Sequence, residues 1–484
     1  MSQEVRNLQP SIVWNNFEDL NAVPRPSKKE EKVRAFLKEF GEKNGIETIV
    51  DAIGNIIYRK PASKGFENRK GVILQAHMDM VHQKNSDVIF DFNTQGIISY
   101  IDGEWVKAQG TTLGSDNGMG VAAIMSVMAS KDLQHGPVEA LITVDEESGM
   151  TGAFNLQPGI LKGSILLNLD SEEEDELCVG CAGGIEVNVN AKYQEEKVPA
   201  NHSAFKLSLR GLKGGHSGVD IHLGRANANK LMNRFLAEIT ANLNAKIASV
   251  EGGSLRNAIP RESFVVIVIP VASEKELQQS VSSLESAWKN EFKMEDKLSF
   301  STEKVDLPAT IMDEKSQQNL INALYACPNN VLAMSIDIKG LVDTSNNIAK
   351  VNVGKGELSV QCLARGNSET GKVELAKSIQ ATFELMGATV KFQGSYPGWK
   401  PDMDSAILKV AKAQYLVLNK VEPKVMAIHA GLECGIIGKA YPGLDMISFG
   451  PTIKYPHSPD EKVNIKSVEK FWNYLVEMLK NVPA

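Results

Sequence analysis

The sequence predicts an α/β protein: a catalytic domain on a mostly parallel sheet, interrupted by an α+β lid. Three observations carry that expectation. Apolar runs such as Val72-Ile73-Leu74, Ala140-Leu141-Ile142 and Ile165-Leu166-Leu167 are nearly continuous, as in strands covered on both faces. Helix-like segments separate them, which is the alternation of a parallel α/β sheet. After Gly183-Gly184 the strands become alternating, beginning with Phe205-Lys206-Leu207-Ser208-Leu209-Arg210, as in a sheet with one open face.

The elements follow in chain order. Residues 1–186 are expected to form the first part of the catalytic domain. Its strand Gly71 to Ala76 runs into His77. Gly118 to Met128 reads as a buried helix with Asp116 just before it. The strand around Ala140-Leu141-Ile142 leads to Asp145-Glu146-Glu147, and Ile165 to Leu169 ends at Asp170. The lid is expected over residues 187–398. It holds a helix from about Arg225 to Asn242, a strand Ser263 to Ile269 and a helix near Glu274 to Asn290. A similar unit then recurs loosely, with a strand near Gly356 to Leu363, a helix near Thr370 to Met386 and a strand Ala388 to Phe392. Ser395-Tyr396-Pro397-Gly398-Trp399-Lys400-Pro401 has linker chemistry. Residues 399–484 return to the catalytic domain, with Met446-Ile447-Ser448-Phe449 as a core strand.

Composition bounds the function. A chain of 484 residues exceeds one ordinary domain. Its 43% hydrophobic and 23% charged content is that of a globular protein. A net charge of −7 and the lack of a long basic stretch argue against nucleic acid as a partner. Met1 to Asn7 lacks the pattern of a signal peptide, and no apolar run reaches membrane-spanning length. The five cysteines, Cys178, Cys181, Cys327, Cys362 and Cys434, are sparse and odd in number, which reads as a reduced, cytoplasmic protein. Cys178-Val179-Gly180-Cys181 is compatible with a zinc ribbon or a redox pair. Without a second half, a pair of small buried residues is preferred.

The chemistry-bearing residues lie at strand ends, where ligands gather in open α/β sheets. Adjacent Glu146 and Glu147 repel each other as plain charges. A pair of divalent cations removes that penalty and lets one acid bind metal while the other moves a proton. Alone, the pair reads as a solvated loop. The spacing His77-Met78-Asp79 puts both side chains on one side of an extended chain. His77 then suits a metal and Asp79 orients its imidazole. Asp116, in Leu113-Gly114-Ser115-Asp116-Asn117-Gly118, is by itself a helix N-cap; it could also bridge two metals. Asp170 and His457 complete a nitrogen and oxygen set that suits zinc, and also manganese or cobalt. The acidic run Glu172 to Glu176 reads as a solvated loop.

With these residues on the page, the chain resembles the zinc exopeptidase superfamily of dipeptidases, aminoacylases and carboxypeptidases. Its aminoacyl-histidine dipeptidase branch is the nearest match. The motifs are His77-Met78-Asp79-Met80-Val81, Leu113-Gly114-Ser115-Asp116-Asn117-Gly118, Asp145-Glu146-Glu147-Ser148-Gly149-Met150-Thr151-Gly152-Ala153 and Pro456-His457-Ser458-Pro459-Asp460-Glu461. The resemblance implies that His77, Asp116 and Asp170 hold one metal and that Asp116, Glu147 and His457 hold the other. It implies Glu146 as general base and Asp79 as the acid beneath His77. His82 is a neighbour and not a ligand. In the lid, Gly214-Gly215-His216-Ser217-Gly218 resembles the segment whose histidine stabilises the oxyanion. Arg365 matches an arginine that grips the substrate's C-terminal carboxylate, with a surface salt bridge as the plain alternative. Asn257 and Glu433 are further substrate-binding expectations, Glu433 near the amino end. Lid closure would bring His216 and Arg365 over the metals. The implied activity is hydrolysis of short peptides, Xaa-His dipeptides foremost, with a homodimer through the lid as a possible assembly. A sister aminoacylase or tripeptidase, or a non-catalytic peptide-binding protein, stands as the alternative.

Overall fold

The structure is a computed structural model that describes residues 2–484. The chain forms two compact units. The first comprises Met1–Gly180, Pro401–Ala427 and Leu432–Ala484; the second comprises Cys181–Lys400 and Ile428–Gly431.

The first unit is built on an eight-stranded sheet. Its order is Glu47–Val50, Ile56–Lys60, Val138–Thr143, Val72–His77, Ile165–Asn168, Asp445–Ser448, Glu176–Cys181 and Lys424–Ile428. The central strands Val138–Thr143, Val72–His77, Ile165–Asn168 and Asp445–Ser448 are parallel. Glu47–Val50, Ile56–Lys60 and Glu176–Cys181 pair antiparallel, so the sheet is mixed with a parallel centre. Every residue of Val72–His77 and Val138–Thr143 is buried, which is why both read as continuous apolar runs.

Helix Ser115–Ala129 packs on this sheet and on helix Ser11–Asn21. Its residues from Asn117 to Met128 are all buried, so it carries no amphipathic stripe. The C-terminal helix Ile465–Asn481 is the opposite case. It buries Val468, Phe471, Leu475 and Met478 at helical spacing, and Asn464 caps it by accepting from Ser467 N. A small sheet, Ile453–Lys454, Lys462–Asn464, Trp105–Ala108 and Ser99–Asp102, holds both ends of the loop that carries His457.

The second unit is a nine-stranded sheet. The order is Ser299–Val305, His202–Arg210, Ser263–Pro270, Lys246–Gly252, Val342–Gly354, Glu357–Gly366, Gly183–Lys192 and Thr389–Tyr396, with Asn330–Met334 also paired to Val342–Gly354. Helices Ala228–Asn242, Glu274–Glu291, Glu314–Ala326 and Glu369–Glu384 accompany it. The first begins three residues later than the periodicity suggested. Asn227 supplies the cap, accepting from Asn229 N and Lys230 N. Strand Val342–Gly354 and helix Glu314–Ala326 are additions to the elements expected. All five cysteines are buried. Among the described residues, no helix is long and apolar enough to cross a membrane.

Candidate metal centre

The parallel strands deliver the first unit's acids and imidazole to one edge. His77 is the last residue of its strand, in register with Thr143 of the neighbour. The chain after Thr143 turns at Asp145, with φ 53°, into the short helix Glu146–Gly149. Asp170 follows strand Ile165–Asn168, and Asp116 opens helix Ser115–Ala129 in a non-helical conformation.

Asp116 lies between two imidazoles. Its Oδ1 is 3.3 Å from His77 Nε2, and its Oδ2 is 3.0 Å from His457 Nε2. His77 Nε2 is also 3.4 Å from Asp170 Oδ1, and His457 Nε2 is 3.1 Å from Glu147 Oε2. Two triads result, His77 with Asp116 and Asp170, and Asp116 with Glu147 and His457. In each, the potential ligand atoms lie within 4.8 Å of one another. Glu146 joins His77 and Glu147 in a third such group.

The donor chemistry fits two divalent cations. Burial raises Glu146 well above the usual carboxylate range, and Glu147 and Asp170 rise for the same first reason. Hydrogen bonds to Asp116 and Glu147 push His457 up to about 11. Glu147 Oε1 is buried with no hydrogen-bond partner. Acids packed this closely are costly as bare charges and are balanced by dications. The two triads sharing Asp116 thus form a site for two divalent metal ions, and imidazole with carboxylate is a set that zinc takes readily.

Buried supports fix these groups. Asp79 is fully buried. Its Oδ1 lies 3.4 Å from His77 Nδ1 and accepts from Glu146 N at 3.0 Å, while its Oδ2 accepts from Glu147 N at 3.4 Å. One carboxylate therefore sets the imidazole and both glutamates. Glu461 performs the same task for Asp116. Its oxygens accept from Leu113 N at 2.8 Å, Gly114 N at 3.0 Å, Ser115 N at 2.7 Å and Asp116 N at 3.3 Å. Arg25, 1% exposed, donates to the carbonyls of Asp79 and Gly114. Sequence reasoning gave Glu461 and Arg25 no role; only the presence of Glu461 in the His457 motif hinted at one. His82 belongs to none of the metal-holding groups and sits edge-on to Phe92, with ring centroids 5.8 Å apart.

Glu433 is 2% exposed at the start of helix Glu433–Ala440. Its Oε2 accepts from Gln75 Nε2 at 2.6 Å and Thr143 Oγ1 at 2.8 Å, and its Oε1 has no partner. Burial pushes this carboxyl up to about 8.

The second unit holds its own polar cluster. His216 pairs with Ala258 in a short two-stranded ladder, and Ser217 N donates to Asn257 O at 2.8 Å. The Asn257 side chain is exposed. His216 Nδ1 accepts from Gly218 N at 3.2 Å and Val219 N at 3.0 Å. That places the proton of a neutral ring on Nε2, free to donate. Burial, then the charge of Arg365, holds His216 down at about 4, so the ring is neutral near pH 7. Arg365 is 3% exposed and donates to Tyr396 Oη at 2.7 Å and Ser217 Oγ at 3.4 Å. It has no carboxylate partner among the described residues, and its Nε is buried and unpaired. A surface salt bridge does not describe it. His429 lies 2.7 Å from Ser345 Oγ, and burial with Arg365 nearby lowers it to about 3.

These features agree with the chain's relatives. A model of peptidase family M20/M25/M40 matches residues 73–481. The sequence is 44% identical over 482 residues to the cytosol non-specific dipeptidase of Escherichia coli, covering 99% of each chain. The crystal structure of aminoacylhistidine dipeptidase from Vibrio alginolyticus matches with a TM-score of 0.93 and 46% identity, over 99% of this chain and 98% of that one. The aminopeptidase PepT of Bacillus cereus shares the fold, with a TM-score of 0.58 and 18% identity over 98% and 99% of the two chains. With a two-metal site and a family match over most of its length, the chain belongs to peptidase family M20/M25/M40 and is a metal-dependent hydrolase of short peptides.

Proposed function

We propose that this chain is a dinuclear dipeptidase whose preferred substrates are unblocked aminoacyl-histidine dipeptides. The single observation that carries the mechanism is Asp116, with one oxygen toward each imidazole. The Xaa-His preference is supported by what the Vibrio alginolyticus relative is, and a cytosolic location by the Escherichia coli one.

When bound, the two cations polarise the scissile carbonyl and lower the pKa of water. His77, Asp116 and Asp170 would hold one, and Asp116, Glu147 and His457 the other. Glu146 takes the proton from the attacking water and passes it to the departing nitrogen. Asp79 keeps Glu146 and His77 in place through the contacts above. We assign His216 Nε2–H to the oxyanion that develops on the carbonyl, because its tautomer and neutral state suit a donor. Arg365, with no carboxylate partner among the described residues, is assigned to the C-terminal carboxylate of the substrate. Asn257 and Glu433 are assigned as further substrate contacts. Pairing of two chains through the second unit is part of the same reading.

The test is hydrolysis of β-alanyl-histidine, Gly-His, Leu-Gly, a tripeptide and an N-acetyl amino acid, before and after chelation and with zinc, manganese or cobalt restored. Metal-dependent cleavage of the Xaa-His dipeptides is expected. Cleavage of the acylated substrate or tripeptide alone would move the activity to a sister peptidase. No turnover with any metal would favour a peptide-binding role.

A further inference from the structure

Arg365 has a fixed companion in the second unit. Strands Glu357–Gly366, Gly183–Lys192 and Thr389–Tyr396 lie side by side, and Gly184 is opposite Arg365 on one side and Tyr396 on the other. Directly opposed residues share a face of the sheet. Gly184 has no side chain, so the phenol of Tyr396 crosses over it to reach the guanidinium. A Cβ on Gly184 would stand 2.4 Å from Tyr396 Oη and 2.5 Å from its Cζ, and one on Gly431 would stand 2.8 Å from its Cε2. The two glycines leave the slot that the ring fills. The backbone is held as well, because buried Lys372 donates to Tyr396 O at 2.7 Å.

A guanidinium carries more N–H donors than Arg365 has spent. Nη1 donates to Tyr396 Oη at 2.7 Å and Nη2 to Ser217 Oγ at 3.4 Å, while the buried Nε has no partner. Tyr396 Oη is the acceptor in its bond, so its own hydrogen is unspent, and no acceptor for it stands among the described residues. Accepting from a cation polarises the O–H and strengthens it as a donor. Two neighbouring donors result, one charged and one neutral, with no anion among the described residues to meet them. A carboxylate accepts at both oxygens and can set one on Arg365 and the other on Tyr396.

We propose that Tyr396 donates its Oη–H to the C-terminal carboxylate of the substrate, so that an arginine–tyrosine pair selects a free C-terminus. This rests on the dipeptidase reading and on Arg365 as a partner of that carboxylate. The plainer role for Tyr396 is to hold the guanidinium in place, and the two roles separate when Arg365 is changed.

The test compares wild type with Tyr396→Phe, which keeps the ring in its slot and removes only the hydroxyl. Both are loaded with zinc. The readouts are kcat and KM on Gly-His, the Ki of glycyl-histamine (the same dipeptide without its carboxylate) as a competitive ligand, and metal content per chain. The expected result is a loss of roughly 10- to 100-fold in kcat/KM, carried by KM, with the Ki of glycyl-histamine and the metal content unchanged. In an Arg365→Lys background, Tyr396→Phe still weakens Gly-His several-fold, because the hydroxyl touches the carboxylate itself. Unchanged Gly-His kinetics, an equal loss on glycyl-histamine, or a loss that vanishes in the Arg365→Lys background would each overturn the inference. Absence of any dipeptide turnover by the wild type would instead bring down the functional reading, and the inference with it.

Discussion

Replacing Glu461 with alanine tests how the metal centre is held from behind. The carboxylate is 2% exposed and accepts from four consecutive backbone N–H groups and from Ser115 Oγ at 2.6 Å. Three of the backbone bonds are 2.7–3.0 Å long, and the Asp116 bond is 3.3 Å. Each buried donor left unpaired costs about 1–3 kcal/mol. Water entering the space would satisfy some of them, so a net destabilisation of about 3–6 kcal/mol is expected. The same loop carries Asp116, so losing its support should weaken metal affinity by about 10- to 100-fold. The assays are thermal denaturation of the whole chain and zinc titration against a chromophoric chelator. Glu461→Gln keeps one acceptor oxygen but points an NH2 at donors, so it should fall between wild type and Glu461→Ala. An alanine variant with wild-type melting temperature and wild-type zinc affinity would refute the reasoning.

Two other outcomes follow from the second unit. Arg365→Lys keeps the charge but loses the planar fork, so kcat/KM on dipeptides should fall by about 10- to 100-fold, mainly in KM. A C-terminally amidated substrate should show little difference between the two proteins, and equal losses on both would remove the carboxylate assignment. His429 is held at about 3 by burial and by Arg365, below the value of an unfolded histidine. The unfolded chain therefore binds the extra proton, and stability is present above about pH 6.5 and lost as pH falls toward 3. Between pH 7.5 and 5 the wild type should lose about 2 kcal/mol more than His429→Gln in urea unfolding. A loss of equal size in both proteins would contradict it.

The parts of the fold legible in the sequence were those where local pattern and tertiary environment agree. Val72–His77 and Val138–Thr143 are buried on both faces, so their composition alone marks them. Strand Val342–Gly354 was hidden because it carries Asp343, Asn346 and Asn347, poor strand formers. Tertiary hydrogen bonds override that preference: Asn346 donates to Pro328 O at 2.6 Å and Asn347 to Ala258 O at 2.8 Å. The site divides in the same way. His77, Asp116, Glu147, Asp170 and His457 follow strands or stand in recognisable motifs, and the structure brings them together. Glu461 and Arg25 were illegible because their partners lie far along the chain, and a single charged residue in a loop reads as solvated.

The central claim is that Glu146 moves the proton at a centre of two metal ions held by other residues. Its most direct test is metal content and Gly-His hydrolysis measured on the same zinc-loaded preparations of wild type and Glu146→Gln. The account predicts two metal ions per chain in both proteins, with kcat in the variant lower by about 10²- to 10⁴-fold. A variant that keeps both metals and hydrolyses the dipeptide within a few-fold of wild type would contradict it.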